Sequence, residues 1–295
     1  MHVMNIIPAY NLACPIDKLE LVKKENYYQC TNGHCFDIAK QGYVNLLPVQ
    51  HKKSKNPGDS KAMVQARTRF LNAGFYLPIA EQLSKIVLHQ LGNTATESRC
   101  VFDAGCGEGY YLQQIINAAQ YIDNNTQFSF VAMDISKPAI INASKRSKQV
   151  SWIVGTNSQP PFMPETVDLI FCVFGFPSYN GFKKILKAGG ELILVEPGAK
   201  HLQELREIIY TEAAQEKSEN KSDANTEYLL IDTQTLTYEI NLNNNSQIQD
   251  LLTMTPHLFR ASSEGKACIE NMDSLSLTTD IIFRVFKYNP VSNYP

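Results

Sequence analysis

Between residues 99 and 110 the chain reads Arg-Cys-Val-Phe-Asp-Ala-Gly-Cys-Gly-Glu-Gly-Tyr, an apolar run that leads into three alternate glycines and then into a helical pattern. Glycine at 105, 107 and 109 lets the backbone turn tightly and approach a ligand, because a Cβ would block both positive φ and close contact. A dinucleotide fingerprint needs G-x-G-x-x-G, with the pyrophosphate on the amides of a helix N-terminus. The spacing here is Asp103-x-Gly105-x-Gly107-x-Gly109, without that last interval. An acidic residue ahead of the first glycine repels a pyrophosphate and suits a cofactor carrying an ammonium and a sulfonium, which points to S-adenosylmethionine. The second anchor is Asp134, at the end of Phe130-Val-Ala-Met-Asp134. It stands one strand-helix-strand unit further on, where a carboxylate accepts hydrogen bonds from both ribose hydroxyls.

A second group of reactive residues lies near the N-terminus. Cys14-Pro-Ile-Asp17 and Cys30-Thr-Asn-Gly-His34 have the arrangement of two ligand knuckles around a short hairpin, as in a zinc ribbon. Cys14, Cys30 and His34 are good zinc donors. Asp17 is the weak one, since structural zinc prefers thiolate and imidazole, and Cys35 competes with His34. The ribbon is followed by Gln50-His-Lys-Lys-Ser-Lys-Asn-Pro-Gly-Asp59, where Lys52, Lys53 and Lys55 sit in a turn-rich loop suited to a phosphate backbone.

These groups need elements to place them. Short β-type runs up to residue 48 supply too little apolar surface for an independent core. A helix beginning at Pro57-Gly-Asp-Ser60, capped by Asp59 or Ser60, carries Met63, Ala66, Phe70 and Leu71 on one face. A second runs from 77 to 91. Beyond it, strands at 100–103, 130–133, 152–154, 169–174 and 191–195 alternate with helices at 110–122, 137–148 and 179–186, the second capped by Ser136. That pattern makes five parallel strands. A helix at 200–215 and a polar stretch at 216–227 follow. The β-rich runs 228–241 and 277–287 flank a helix at 247–254 and close the sheet with an antiparallel strand. The expected fold is α/β: a class I methyltransferase with a doubly wound, mostly parallel, seven-stranded sheet and a small zinc-ribbon-like N-terminal domain.

Composition fits that plan. The 295 residues carry 27 Lys/Arg and 29 Asp/Glu for a net charge of −2, but residues 1–70 hold ten basic against five acidic side chains, leaving the remainder at −7. The basic front end favours nucleic acid as partner. Seven dispersed cysteines argue for free thiols in a reducing compartment. No apolar run approaches the roughly 18 residues of a spanning helix, and the first ten residues lack a signal-peptide pattern. The expectation is a cytoplasmic protein without a membrane partner.

The residues also resemble a known family over almost the whole chain, the bacterial 23S rRNA (guanine-N1)-methyltransferases. The resemblance is carried by Phe36-Asp-Ile-Ala-Lys-Gln-Gly-Tyr-Val-Asn-Leu-Leu-Pro-Val-Gln-His51, Pro57-Gly-Asp-Ser60, Asp103-Ala-Gly-Cys-Gly-Glu-Gly-Tyr-Tyr111, Pro197-Gly198 with His201-Leu202, and Leu251-Leu-Thr-Met-Thr-Pro256. It implies methyl transfer from S-adenosylmethionine to N1 of a guanine in a 23S rRNA hairpin, with a homodimer as one assembly it allows. Gly107, Glu108, Tyr76 and His201 match the family's cofactor contacts. Cys14, Cys30 and His34 match three of its zinc ligands, while Asp17 replaces a cysteine. The implied division is 1–48 for the RNA-binding ribbon, 49–76 for the basic loop and linker helix, and 77–295 for the methyltransferase domain.

The loop Phe174-Gly-Phe-Pro-Ser-Tyr179 follows the fourth strand, where N-methyltransferases generally hold the acceptor base, and Phe174, Phe176 or Tyr179 could sandwich a purine. Glu196, His201 and Tyr179 are the candidates for a catalytic part. The sequence also admits two alternatives: a methyltransferase acting on a small molecule, and a noncatalytic RNA- or ribosome-binding protein that retains the fold.

Overall fold

The structure is a computed structural model that describes residues 5–48, 57–92, 98–119, 126–210, 227–255 and 262–290. Five short strands come first: β1 (Asn5–Ile6), β2 (Val22–Lys23), β3 (Tyr27–Gln29), β4 (Cys35–Asp37) and β5 (Tyr43–Asn45). Then come α1 (Lys61–Asn72), α2 (Leu77–Gly92), β6 (Ser98–Ala104), α3 (Tyr110–Ala119), β7 (Gln127–Asp134), α4 (Lys137–Ala143), β8 (Ser151–Val154), β9 (Val167–Val173), α5 (Tyr179–Phe182) and β10 (Leu186–Pro197). The chain continues with α6 (Gln203–Ile209), β11 (Tyr228–Leu242), α7 (Asn245–Met254), α8 (Ser263–Glu270) and β12 (Leu275–Tyr288).

The main sheet has the order β11-β12-β10-β9-β6-β7-β8-β5, with β1 added beside β7. Strands β10, β9, β6, β7 and β8 run parallel, and β12 enters antiparallel between β10 and β11. These seven strands are the doubly wound sheet expected from the alternation of apolar runs. Two more come from the N-terminal segment, because β5 pairs parallel with β8 and β1 pairs parallel with β7. Only β2, β3 and β4 form the ribbon's own small sheet.

That sharing explains how so small a module is held. A buried parallel sheet needs cover on both faces. One face, including Val101, Phe171 and Ile193, packs on the helices around Phe70, Leu83 and Ile115. The other, including Phe102, Met133, Ile153 and Ile170, is covered by Phe182 and Ile185 and by the N-terminal residues Leu12, Cys14, Leu21, Tyr28 and Cys30. The ribbon is a layer of the core.

Several boundaries differ from the sequence reading for physical reasons. The helix expected over 179–186 ends at Phe182, since Leu186 already pairs with Val167 in the sheet. The helix at 137–148 ends at Ala143, and the Trp152 indole donates to the Ser147 carbonyl (2.9 Å) in the turn that follows. In α1 the cap is Ser60, whose hydroxyl accepts from Met63 N, and Val64 rather than Met63 joins Ala66, Phe70 and Leu71 in the buried stripe. Leu202 precedes α6 in the left-handed region (φ 50°), so that helix starts at Gln203. Most of the 216–227 stretch lies outside the described residues, as do Lys52, Lys53 and Lys55.

Candidate methyl-donor and zinc sites

The glycine loop leaves β6 with positive φ at Gly105 (87°), Gly107 (55°) and Gly109 (81°). Their surroundings divide the three. A Cβ on Gly109 would stand 2.6 Å from the Trp152 ring, so this glycine serves packing between loop and sheet. A Cβ on Gly105 would meet nothing nearer than Asn157 Nδ2 at 3.8 Å, and one on Gly107 nothing nearer than Arg67 Nη1 at 3.6 Å. A methyl at either of those two would make only ordinary van der Waals contact.

Asp103 and Asp134 end adjacent strands beside that loop. Asp103 is 2% exposed, and its Oδ2 is buried without a hydrogen-bond partner. Burial, then the neighbouring Asp134 charge, raises its carboxyl well above the usual range. A buried carboxylate with an unmet acceptor atom fits a cationic ligand group, which S-adenosylmethionine carries. Asp134 is held by two backbone donors, Gly107 N on Oδ2 (2.9 Å) and Ser136 N on Oδ1 (2.7 Å), so its orientation is fixed before any ligand arrives. Burial raises its carboxyl too, and the two amide hydrogen bonds oppose the rise.

The Glu108 carboxylate is 1% exposed: its Oε2 accepts from Arg146 Nε (2.8 Å) and Nη2 (2.5 Å) and from the Thr68 hydroxyl (3.2 Å), while its Oε1 is buried without a partner. Arg67 and Asp59 stand close enough for their charges to act on Asp134. The two form a salt bridge, Arg67 Nη2 donates to Met254 O (3.0 Å), and Ser136 Oγ donates to Asp59 O (2.7 Å). Gly58 packs so tightly on Ser136 that a Cβ would lie 2.8 Å from it. The motif Pro57-Gly-Asp-Ser60 thus packs on the turn after Asp134, and Asp59 holds Arg67 beside Gly107. Its sequence signal was there, but nothing in the spacing tied it to the glycines.

Tyr76 and His201 come together with Phe174. The Tyr76 hydroxyl lies 3.4 Å from His201 Nε2, His201 Nδ1 accepts from Asp280 N (3.4 Å), and the imidazole stacks on Phe174 with centroids 5.9 Å apart and planes at 14°. With Nδ1 on the Asp280 amide, Nε2 faces the Tyr76 hydroxyl. Tyr111 completes the group, edge-on to Phe174, with its hydroxyl buried and unpartnered. Phe174 adopts φ 50°, a conformation costly for a bulky residue, and its amide donates to Val195 O (2.9 Å).

Two of the candidates for a catalytic part are placed differently from expectation. Tyr179 packs on Tyr228 (centroids 5.3 Å), which packs in turn at a tilt on Tyr288, and it belongs to the face the ribbon covers. Strand register puts Tyr228 and Tyr288 beyond Glu191 and Leu169, toward the sheet end opposite the glycine loop. Helix α5 turns back under the sheet directly after the acceptor loop and takes Tyr179 with it. Glu196 forms a salt bridge with Arg284 across β10 and β12.

In the ribbon, Cys14, Asp17, Cys30 and His34 converge with one donor atom each, all within 4.8 Å of one another. His34 Nδ1 lies 3.6 Å from Cys14 Sγ, 3.4 Å from Cys30 Sγ and 3.0 Å from Asp17 Oδ2, and Cys30 Sγ lies 3.4 Å from Asp17 Oδ2. A tetrahedral zinc with bonds of about 2.0–2.3 Å sets its donors roughly 3.3–3.8 Å apart. The donor set fits zinc. Burial would raise the Asp17 carboxyl, but hydrogen bonds from Cys14, Leu19 N, Cys30 and Asn32 outweigh it and hold the group lowered and ionised. Cys35 is exposed and turns to the Gly33 carbonyl, which decides the competition in favour of His34.

Comparison with known proteins agrees with both halves. Residues 12–55 match the zinc-ribbon family described as RlmA, N-terminal, and residues 101–191 match a methyltransferase domain family. The chain is 30% identical over 260 residues to the Bacillus subtilis (strain 168) "Putative 23S rRNA (guanine-N(1)-)-methyltransferase YxjB", spanning 85% of this chain and 88% of that one. It is 31% identical over 195 residues to the 23S rRNA (guanine(748)-N(1))-methyltransferase of Streptomyces fradiae, 66% of each chain. With a zinc-ligand cluster in front of a class I S-adenosylmethionine fold, and a relative matched along most of both chains, the protein belongs to the 23S rRNA (guanine-N1)-methyltransferase family.

Proposed function

We propose that this chain transfers a methyl group from S-adenosylmethionine to N1 of one guanine in a 23S rRNA hairpin. The acceptor is carried by the match to the Bacillus subtilis relative along most of both chains, and the donor by the buried Asp103 carboxyl, its Oδ2 unpartnered, beside the oriented Asp134. S-adenosylmethionine, when bound, supplies an electrophilic methyl whose departing thioether is neutral and needs no acid. In this reading Asp103 holds the ammonium, Asp134 the ribose hydroxyls, and the backbone of Gly105, Gly107 and Glu108 lies along the cofactor. Tyr76 and His201 shape the neighbouring wall, and Gly109 keeps the loop seated on Trp152.

The acceptor base meets Phe174, whose strained backbone presents its ring beside His201, Tyr76 and Tyr111. Aligning N1 behind the methyl is the main contribution this pocket makes. The N1 proton goes to water in this reading, because Glu196 is paired with Arg284 and both His201 nitrogens are engaged. His201 and Glu196 are positioning residues, and Tyr179 supports the loop from below.

Residues 1–48 dock the RNA with zinc held by Cys14, Asp17, Cys30 and His34, Lys52, Lys53 and Lys55 add phosphate contacts, and residues 77–295 carry the chemistry. A cytoplasmic location and a homodimer belong to the same reading, and light scattering on the purified protein tests the second. Methylation at N1 blocks the Watson–Crick edge. Reverse transcription of rRNA from cells holding the gene should therefore stop at one guanine, and deletion should remove that stop. If every stop survives deletion, the proposal fails; activity on small molecules without RNA, or absence of S-adenosylmethionine binding in calorimetry, would point to the other two readings.

A further inference from the structure

Phe176 is 92% exposed, and the next most exposed large apolar side chain among the described residues, Ile16, reaches 58%. Single apolar side chains on a surface are ordinary, but a phenylalanine almost wholly in water at the mouth of a site is not. The loop that carries it is firmly held. Phe174 N donates to Val195 O (2.9 Å), Asn157 Nδ2 donates to Phe176 O (3.2 Å), and Gly175 lies so close to Cys172 that a Cβ would be 2.7 Å from its sulfur. Pro177 follows, and the Ser178 hydroxyl accepts from Gly181 N (3.2 Å) to cap α5. The backbone therefore projects the ring outward.

Burial is graded along the group from floor to rim. Tyr76 is 4% exposed, Phe174 38%, and Phe176 stands beyond both. The inner residues can enclose a base. The outermost cannot enclose anything, having no described wall around it.

We propose that Phe176 is a wedge that enters the RNA stack at the place the target guanine leaves, while Phe174 lines the pocket that receives it. The inference rests on the proposed function. A base inside a hairpin presents its N1 edge to a protein only after it is drawn out of its stack, and a flat apolar ring stabilises the gap it leaves. The partner is defined by its chemistry: the exposed π-faces of RNA bases flanking one extruded purine.

The test uses the full-length, metal-loaded protein and an RNA hairpin bearing 2-aminopurine beside the mapped guanine. For F176A, kcat/KM on the hairpin should fall about 10- to 100-fold, in line with the measured effect of base–aromatic stacking. Its S-adenosylmethionine affinity should stay within twofold of wild type, F176W should retain activity, and the fluorescence rise on binding should be lost. A hairpin with abasic sites flanking the guanine should recover most of the activity of F176A. Unchanged activity and fluorescence in F176A, or an equal loss on both hairpins, would overturn the wedge. Wild-type protein that opens the base yet methylates no guanine would instead sink the proposed function and leave the wedge standing.

Discussion

The Asp103 carboxylate sits in the interior with one oxygen unpartnered and a second carboxylate, Asp134, as its neighbour. Its raised folded-state pKa means that the native, ligand-free protein keeps this proton to higher pH than the unfolded chain does. Both states are protonated below the unfolded value of about 3.9. As pH climbs past that value only the unfolded chain ionises, so stability falls until the folded pKa is reached and is level above it. Asp103→Asn should therefore make the ligand-free protein more resistant to urea at neutral pH, while the difference from wild type closes toward pH 4. The same change should weaken S-adenosylmethionine binding in calorimetry by roughly 10- to 150-fold, the worth of a hydrogen bond to a charged group, about 1.5–3 kcal/mol. Equal affinity in the two proteins would remove Asp103 from the site. Glu196→Gln makes the opposite case: with its carboxylate tied to Arg284, kcat for RNA methylation should stay within about threefold of wild type, and a loss beyond a hundredfold would restore it as a base.

At the scale of elements, the three glycines separate cofactor binding from folding. Alanine at 105 must adopt φ near 87° at a cost of about 1–2 kcal/mol, but its methyl makes only ordinary contact with Asn157, so the thermal midpoint should fall a few degrees while cofactor affinity collapses. Alanine at 109 suffers the same strain and also drives its methyl into Trp152, so stability should drop further, by several kcal/mol in all. Thermal unfolding with and without S-adenosylmethionine reads both, and equal shifts would contradict the division. The glycine loop, Asp134, Ser136 and the five parallel strands were legible in the sequence because each rests on local spacing and apolar runs. The same holds for the ribbon knuckles. The β-type run at Tyr43 was legible, but its place in the main sheet was not, and the two-residue β1 has no period to detect; the partners of both lie more than a hundred residues away. The path of Tyr179 was hidden for a related reason, since the turn of α5 is set by the pairing of Leu186 with Val167. Arg67 and Asp59 were invisible because their meeting with the glycine loop is a tertiary event.

At the scale of the whole molecule, the N-terminal segment adds β1 and β5 to the main sheet and its ribbon shares one apolar layer with it, so the chain should unfold as a unit. Removing residues 1–48 strips β1 and β5 from the sheet and uncovers the face containing Phe102, Met133, Ile153 and Ile170. Such an exposed parallel face is not stable in water. The truncated chain should aggregate or bind no S-adenosylmethionine, whereas a soluble fragment with wild-type affinity would show that the wound domain stands alone. Metal loss should be milder, because Leu12, Leu21 and Tyr28 still pack on the sheet when the donors are empty. His34→Ala should lower bound zinc from about one per chain toward none and weaken RNA methylation, yet leave cofactor affinity within about threefold. Asp17→Cys should hold zinc at least tenfold more tightly against a chelator, because a thiolate replaces the hardest donor of the four. If His34→Ala abolishes cofactor binding as completely as truncation does, then the metal, and not the packing of the ribbon on the sheet, is what holds the two halves together.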